Sequence, residues 1–133
     1  MDEVDEKIIS VLEKDSRTPF TEIAKSLDLS DVAVKKRVEK LLASGILKRF
    51  SVELDQEKMG KPVRAYVLLR CSPENTDKIV SDLRDKVKVE RTIGSYDLLL
   101  SVDFEDIQAL RNFVEDDLGA IMGIAEIRTL IRV

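Results

Sequence analysis

The side chains with the most definite chemistry in this sequence are cations. In the stretch "SDVAVKKRVEKLLASGILKRF", residues 30–50, Lys35, Lys36, Arg37, Lys40, Lys48 and Arg49 stand against only Asp31 and Glu39, a local charge of +4 in a chain of 133 residues whose net charge is −4. The segments on either side, 1–29 and 51–133, are each net −4. Ammonium and guanidinium groups at this density suit contact with phosphates, and screening over about 8–10 Å hides the distant acids from such a surface. Catalytic chemistry has little to work with. Histidine is absent, which removes the commonest general base and the commonest metal ligand, and Cys71 is the single cysteine. No Cys–His, Ser–His or metal-ligand spacing is present, and the scattered carboxylates fit solvated helix faces. The chain is therefore expected to be no enzyme, with no catalytic residue, no cofactor and no metal.

The elements that must carry the basic block follow from hydrophobic spacing. Val4, Ile8, Val11 and Leu12 recur at helical intervals behind Asp2, an N-cap, with acids in the first turn. A second helix is expected after "RTPF", with Thr18 as cap, Pro19 at the first position and Phe20, Ile23, Ala24 and Leu27 as its apolar stripe. "DLS" makes a short turn to Ser30, which caps a third helix with Val34, Val38 and Leu41 on one face and Gly45 at its end. At 100° per residue the opposite face presents Val32, Ala33, Lys36 and Lys40, flanked by Lys35 and Arg37. "ILKRFSVEL" alternates Ile46, Phe50, Val52 and Leu54 against polar positions, which predicts the first arm of a hairpin turning near "DQEKMGKP". Three helices, a tight turn and a hairpin form the winged helix-turn-helix pattern. The third helix is small at its start and basic along its length, so it suits a major groove, with Lys48 and Arg49 reaching adjacent phosphates. A solvated helix face remains the plainer alternative.

The second half alternates differently. Strands are expected at "VRAYVLLRC" (63–71), "VKVERTI" (87–93), "DLLLSV" (97–102) and "GIAEIRTLIRV" (123–133). A helix between the first two is capped by Ser72 with Pro73 at its first position; another follows Asp103 and buries Ile107, Leu110 and Val114. The order βαββαβ is that of the ferredoxin-like split βαβ sandwich, giving an α+β chain. Val67, Leu68 and Leu69, like Leu98, Leu99 and Leu100, are apolar toward both sheet faces. Helices cover one face, and a second copy of the sheet is the simplest cover for the other, so a homodimer is expected. The expected division is a winged helix-turn-helix at 1–50, a hinge hairpin at 51–62 and the sandwich at 63–133. An acidic N-terminus instead of a basic leader, no long apolar run and a lone cysteine point to a cytoplasmic protein with no membrane role.

"DEVDEKIISVLEKDSR", "TEIAKSLDLSDVAVKKRVEKLLASGIL", "GSYDLLLSV" and "GIAEIRTLIRV", in this order, resemble the Lrp/AsnC (leucine-responsive/asparagine, feast/famine) family of transcription regulators. The resemblance implies a head that binds double-stranded DNA and a domain that binds a small amino-acid effector, in homodimers that build tetramers or octamers. It puts Ser30, Val32, Ala33, Lys35, Lys36, Arg37 and Lys40 in the recognition-helix region. It puts Gly94, Ser95, Tyr96 and Asp97 in the loop near bound amino acid, where Gly94 tolerates positive φ, Asp97 suits an α-ammonium and turn amides suit a carboxylate. "GSY" is equally a good turn in its own right. Thr129 matches one of two threonines that relatives carry two apart; Ile131 stands in the second place, and the chain ends at Val133, short of the extra C-terminal segment of longer relatives. Two other readings share this plan: a siroheme decarboxylase-like subunit, expected to need histidine, and an amino-acid-sensing partner protein that no longer touches DNA.

Overall fold

The computed structural model describes residues 1–133, and its contacts divide the chain into two units, Met1–Glu53 and Leu54–Val133. The first holds three helices, α1 (Glu3–Lys14), α2 (Phe20–Leu27) and α3 (Asp31–Ala43). Asp2 caps α1 as expected, in a reciprocal capping box: Asp5 N donates to Asp2 Oδ1 at 2.9 Å and Asp2 N donates to Asp5 Oδ2 at 3.1 Å. Thr18 does not cap α2. Its Oγ1 donates to the Asp15 carbonyl at 2.8 Å, and Pro19 occupies the N-cap place without a side-chain bond, because the local turn after α1 captures the hydroxyl first. Asp28 leaves α2 in the left-handed region (φ 54°), and Ser30 Oγ accepts from Ala33 N at 3.1 Å to start α3. Ile8, Leu12, Ile23, Ala24, Val34 and Val38 form the buried core, with Leu41 also buried.

The expected hairpin after α3 is absent: no strand precedes Val63. Residues 48–55 have no regular pairing, and the proposed turn is a single helical loop closed by Met59 N to Asp55 O and Lys61 N to Gln56 O. Ile46, Phe50, Val52 and Leu54 stay 46–78% exposed. Alternation marks a strand that needs a neighbour, and nothing within this chain supplies one. The helix-turn-helix forms; the wing does not form within the single chain.

The second unit is β1 (Val63–Cys71), α4 (Thr76–Leu83), β2 (Lys88–Arg91), β3 (Leu98–Phe104), α5 (Ile107–Asn112) with a π-helical turn Phe113–Leu118, and β4 (Ile124–Ile131). The strands form an antiparallel sheet in the order β2-β3-β1-β4, the split βαβ arrangement. Two helix starts are later than expected. Ser72 takes a turn role, its backbone N donating to Gly123 O at 2.8 Å, so α4 begins after Asn75. Asp106, not Asp103, caps α5, its Oδ1 accepting from Ala109 N at 2.7 Å, while Asp103 is held by Arg64 Nε at 2.8 Å. Ile107 is consequently 55% exposed. Leu110 is buried, Val114 only half-buried, and Phe113 and Leu118 fill the core instead. Their five-residue spacing explains the π-helical turn: i→i+5 closure stacks both on one side, where an α-helix would separate them. Phe113 packs on Phe104 with ring centroids 5.4 Å apart.

Candidate functional site

On α3 the core residues Val34, Val38 and Leu41 are at most 3% exposed, which turns Val32, Lys36 and Lys40 outward. Val32 is 61% exposed and Ala33 half-buried, so the first turn offers small apolar contact before the lysines begin. Lys36 and Lys40 are exposed and lie within no ion pair; Lys35 leans on Glu39 one turn away at 4.0 Å. Ser30 is exposed with its hydroxyl used as the cap, and Lys48 and Arg49 are exposed on the unpaired segment beyond Gly45. Arg37 behaves differently. Its Nη1 donates to Asp2 Oδ1 and Oδ2 at 2.9 and 2.8 Å and to Asp5 Oδ1 at 3.1 Å, on the start of α1. The guanidinium hydrogen bond, aided by the Asp5 amide, holds the Asp2 carboxyl down at about 2. The guanidinium's own pKa is raised by the same two carboxylates, Asp2 first. A shallow groove of about 520 Å³ runs here, with Asp2, Asp5, Ala33, Lys36, Arg37 and Lys40 among its walls.

The second site residues lie on the sheet. Gly94 has φ +136°, within the region that favours glycine. The loop closes through Thr92 Oγ1 donating to Tyr96 O at 2.7 Å and Thr92 N to Asp97 O at 2.9 Å. Ser95 O accepts from Arg70 Nε at 3.3 Å. Asp97 is bound to β1 twice: its N donates to Leu69 O, and its Oδ2 accepts from Cys71 N, each at 2.8 Å. Burial, and then the Asp97 charge, push the Cys71 thiol up. Tyr96 OH donates to Glu126 Oε1 at 3.1 Å, and the Arg70 guanidinium, paired with Glu126, sits 5.7 Å from the Tyr96 ring centre. Arg70 and Glu126 were not singled out from the sequence. Their cross-strand register makes them neighbours, a relation visible only once β1 and β4 are paired. Thr129 lies apart from this cluster. It pairs with Val67 on the helix-covered side, whereas Arg70 and Glu126 belong to the open side.

That open side carries Tyr66, Leu68, Leu99 and Leu130, none of them fully buried, with Leu68 directly opposite Leu99. Val67, Leu69, Leu98 and Leu100 are fully buried beneath the helices. The two-sided apolar character read from the triplets is real.

The helix-turn-helix and the sandwich each match a known family model: residues 1–42 that of the AsnC-type helix-turn-helix domain, residues 64–133 that of the Lrp/AsnC ligand binding domain. The chain belongs to the Lrp/AsnC family. It is 34% identical to the HTH-type transcriptional regulator LysM of Sulfurisphaera tokodaii over 98% of this chain and 94% of that protein. It is 31% identical to the HTH-type transcriptional regulator FL11 of Pyrococcus horikoshii over 98% and 88%. The solved structure of E. coli AsnC, 25% identical, superposes with a TM-score of 0.89, covering 100% of this chain and 92% of that one. The protein is thus a transcription regulator with a DNA-binding helix-turn-helix and a ligand-binding domain of the kind that takes an amino-acid effector, in a family that oligomerises. The decarboxylase-like and DNA-free alternatives are not favoured. No helix is long and apolar enough to cross a membrane.

Proposed function

We propose that the outward face of α3 is the DNA-reading surface, with Val32 and Ala33 against base edges, Lys36 and Lys40 on phosphates, and Ser30 and Lys35 at its margins. Lys48 and Arg49 reach phosphates beside it. The carrying observation is that Lys36 and Lys40 are exposed, unpaired and set opposite the buried Val34–Val38–Leu41 stripe. Two lysines cannot give tight binding alone, so two heads read two half-sites. We infer a homodimer joined through the open sheet face around Leu68 and Leu99, in the cytoplasm with its DNA. Replacing Lys36 and Lys40 together by glutamine is expected to weaken binding to every duplex. It is also expected to lower the slope of log affinity against log salt by about two. An unchanged titration overturns the assignment.

We further propose that the effector is a small amino acid held against Gly94, Ser95, Tyr96 and Asp97, with Arg70 and Glu126 as charged neighbours. The support is a guanidinium and a carboxylate side by side next to a glycine-opened loop, which suits a zwitterion. Thr129, on the opposite side of the sheet, takes part only if the ligand reaches the β4 edge. Thermal denaturation with each of the twenty amino acids checks this. One or a few should raise the melting temperature in proportion to ln(1 + [L]/Kd), and Tyr96→Ala should abolish the shift. No response to any of them removes the proposal.

A further inference from the structure

Arg37 is the basic residue of α3 whose charge is engaged by another helix, whereas Lys35 pairs only with Glu39 on its own. A single nitrogen, Nη1, lies within 3.1 Å of three carboxylate oxygens of Asp2 and Asp5. Those carboxyl groups are also the two halves of the capping box that starts α1. The contact therefore joins residues 35 and 32 apart in the chain, tying the first turn of α1 to the middle of α3 beside Lys36 and Lys40. The apolar core of this unit is a cluster of six buried residues with six partly buried ones packed against it. The buried stripe Val34, Val38 and Leu41 decides which face of α3 turns inward, but apolar contact is non-directional and leaves some freedom of roll about that orientation. The two N–H bonds of Nη1, one of them shared between acceptors, have preferred directions and restrict that roll.

We infer that Arg37 is a positioning residue for DNA binding: held by Asp2 and Asp5, it removes the remaining roll of α3 about the orientation its buried stripe sets, steadying Lys36 and Lys40 toward the duplex, and it makes no phosphate contact itself. This rests on α3 being the DNA-reading surface. Counting charges gives the opposite expectation, since removing the Asp2 carboxylate takes a negative group away from DNA. The sign of one substitution therefore separates the two.

The experiment titrates the full chain against a labelled mixed-sequence duplex over a series of salt concentrations, at a temperature where melting curves show every variant folded. Asp2→Asn is the main variant, because asparagine caps a helix about as well as aspartate and α1 keeps its start. Arg37→Gln, the double variant and Lys36→Gln complete the set. Asp2→Asn and Arg37→Gln are each expected to weaken binding about two- to fivefold with an unchanged salt slope. The double variant should bind no more weakly than the weaker single one, as partners in one contact do. Lys36→Gln should lower the slope by about one. Tighter binding by Asp2→Asn, or a slope lower by about one in Arg37→Gln, overturns the inference by showing Arg37 on a phosphate. A lowered melting temperature with unchanged affinity overturns it too, leaving a purely structural pair. If Lys36→Gln changes neither affinity nor slope, the α3 interface falls and this inference with it; failure confined to the Asp2 and Arg37 variants leaves that interface standing.

Discussion

Asp2 does two jobs with one carboxylate, and the consequence is measurable in acid. Its pKa is held at about 2, below the ordinary value of 3.8, chiefly by the hydrogen bond from Arg37 and then by the Asp5 amide. A depressed carboxylate pKa gives stability that is complete above the unfolded value and is lost as pH falls through the folded one. The melting temperature of the native chain should therefore drop toward that of Asp2→Asn between about pH 4 and pH 2, with a constant gap above that window. Parallel curves down to pH 2 would show that the pair does nothing for folding. The Asp97 carboxylate is likewise engaged within the fold. In the sequence it looks like a ligand for an ammonium, yet one oxygen is already taken by the Cys71 amide.

Among the elements, the seam between α4 and β4 is the most exacting. Gly123 has φ +97°, its carbonyl accepts from Ser72 N at 2.8 Å, and a Cβ built there would lie 2.5 Å from Asn75 Cβ. A side chain must displace the residue that begins α4, besides entering a backbone region it disfavours. Gly123→Ala is expected to destabilise the chain by more than about 1 kcal/mol in urea unfolding. A change within a few tenths would mean the loop relaxes freely. Residues 46–54 show the converse. Here the alternation is clear and the element is missing, because a strand is a relation between two segments and no segment of this chain pairs with this one.

For the molecule as a whole, the question is what covers the open sheet face. Leu68 and Leu99 sit opposite each other with Tyr66 and Leu130 nearby, and the ends of the patch carry the Arg64–Asp103 and Arg70–Glu126 pairs. Apolar in the middle and charged at the rim is the composition of a protein interface. The proposed homodimer predicts a dimer mass for the native chain and a monomer mass for Leu99→Lys in light scattering, with the far-UV circular dichroism unchanged. A variant that stays dimeric places the joint elsewhere.

The helices of the first unit, the βαββαβ order and the basic face of α3 were legible in the sequence, because each depends on the spacing of residues within one segment. The Lrp/AsnC resemblance was legible for the same reason, motif by motif. Tertiary structure alone decided the rest: that Arg37 faces carboxylates 35 and 32 residues away, that Arg70 and Glu126 meet at Tyr96, that Thr129 lies on the other side of the sheet, and that Phe113 and Leu118 share a widened turn. Each of these is a contact between segments, or a compromise forced by packing. Local periodicity carries no information about which distant group will arrive opposite.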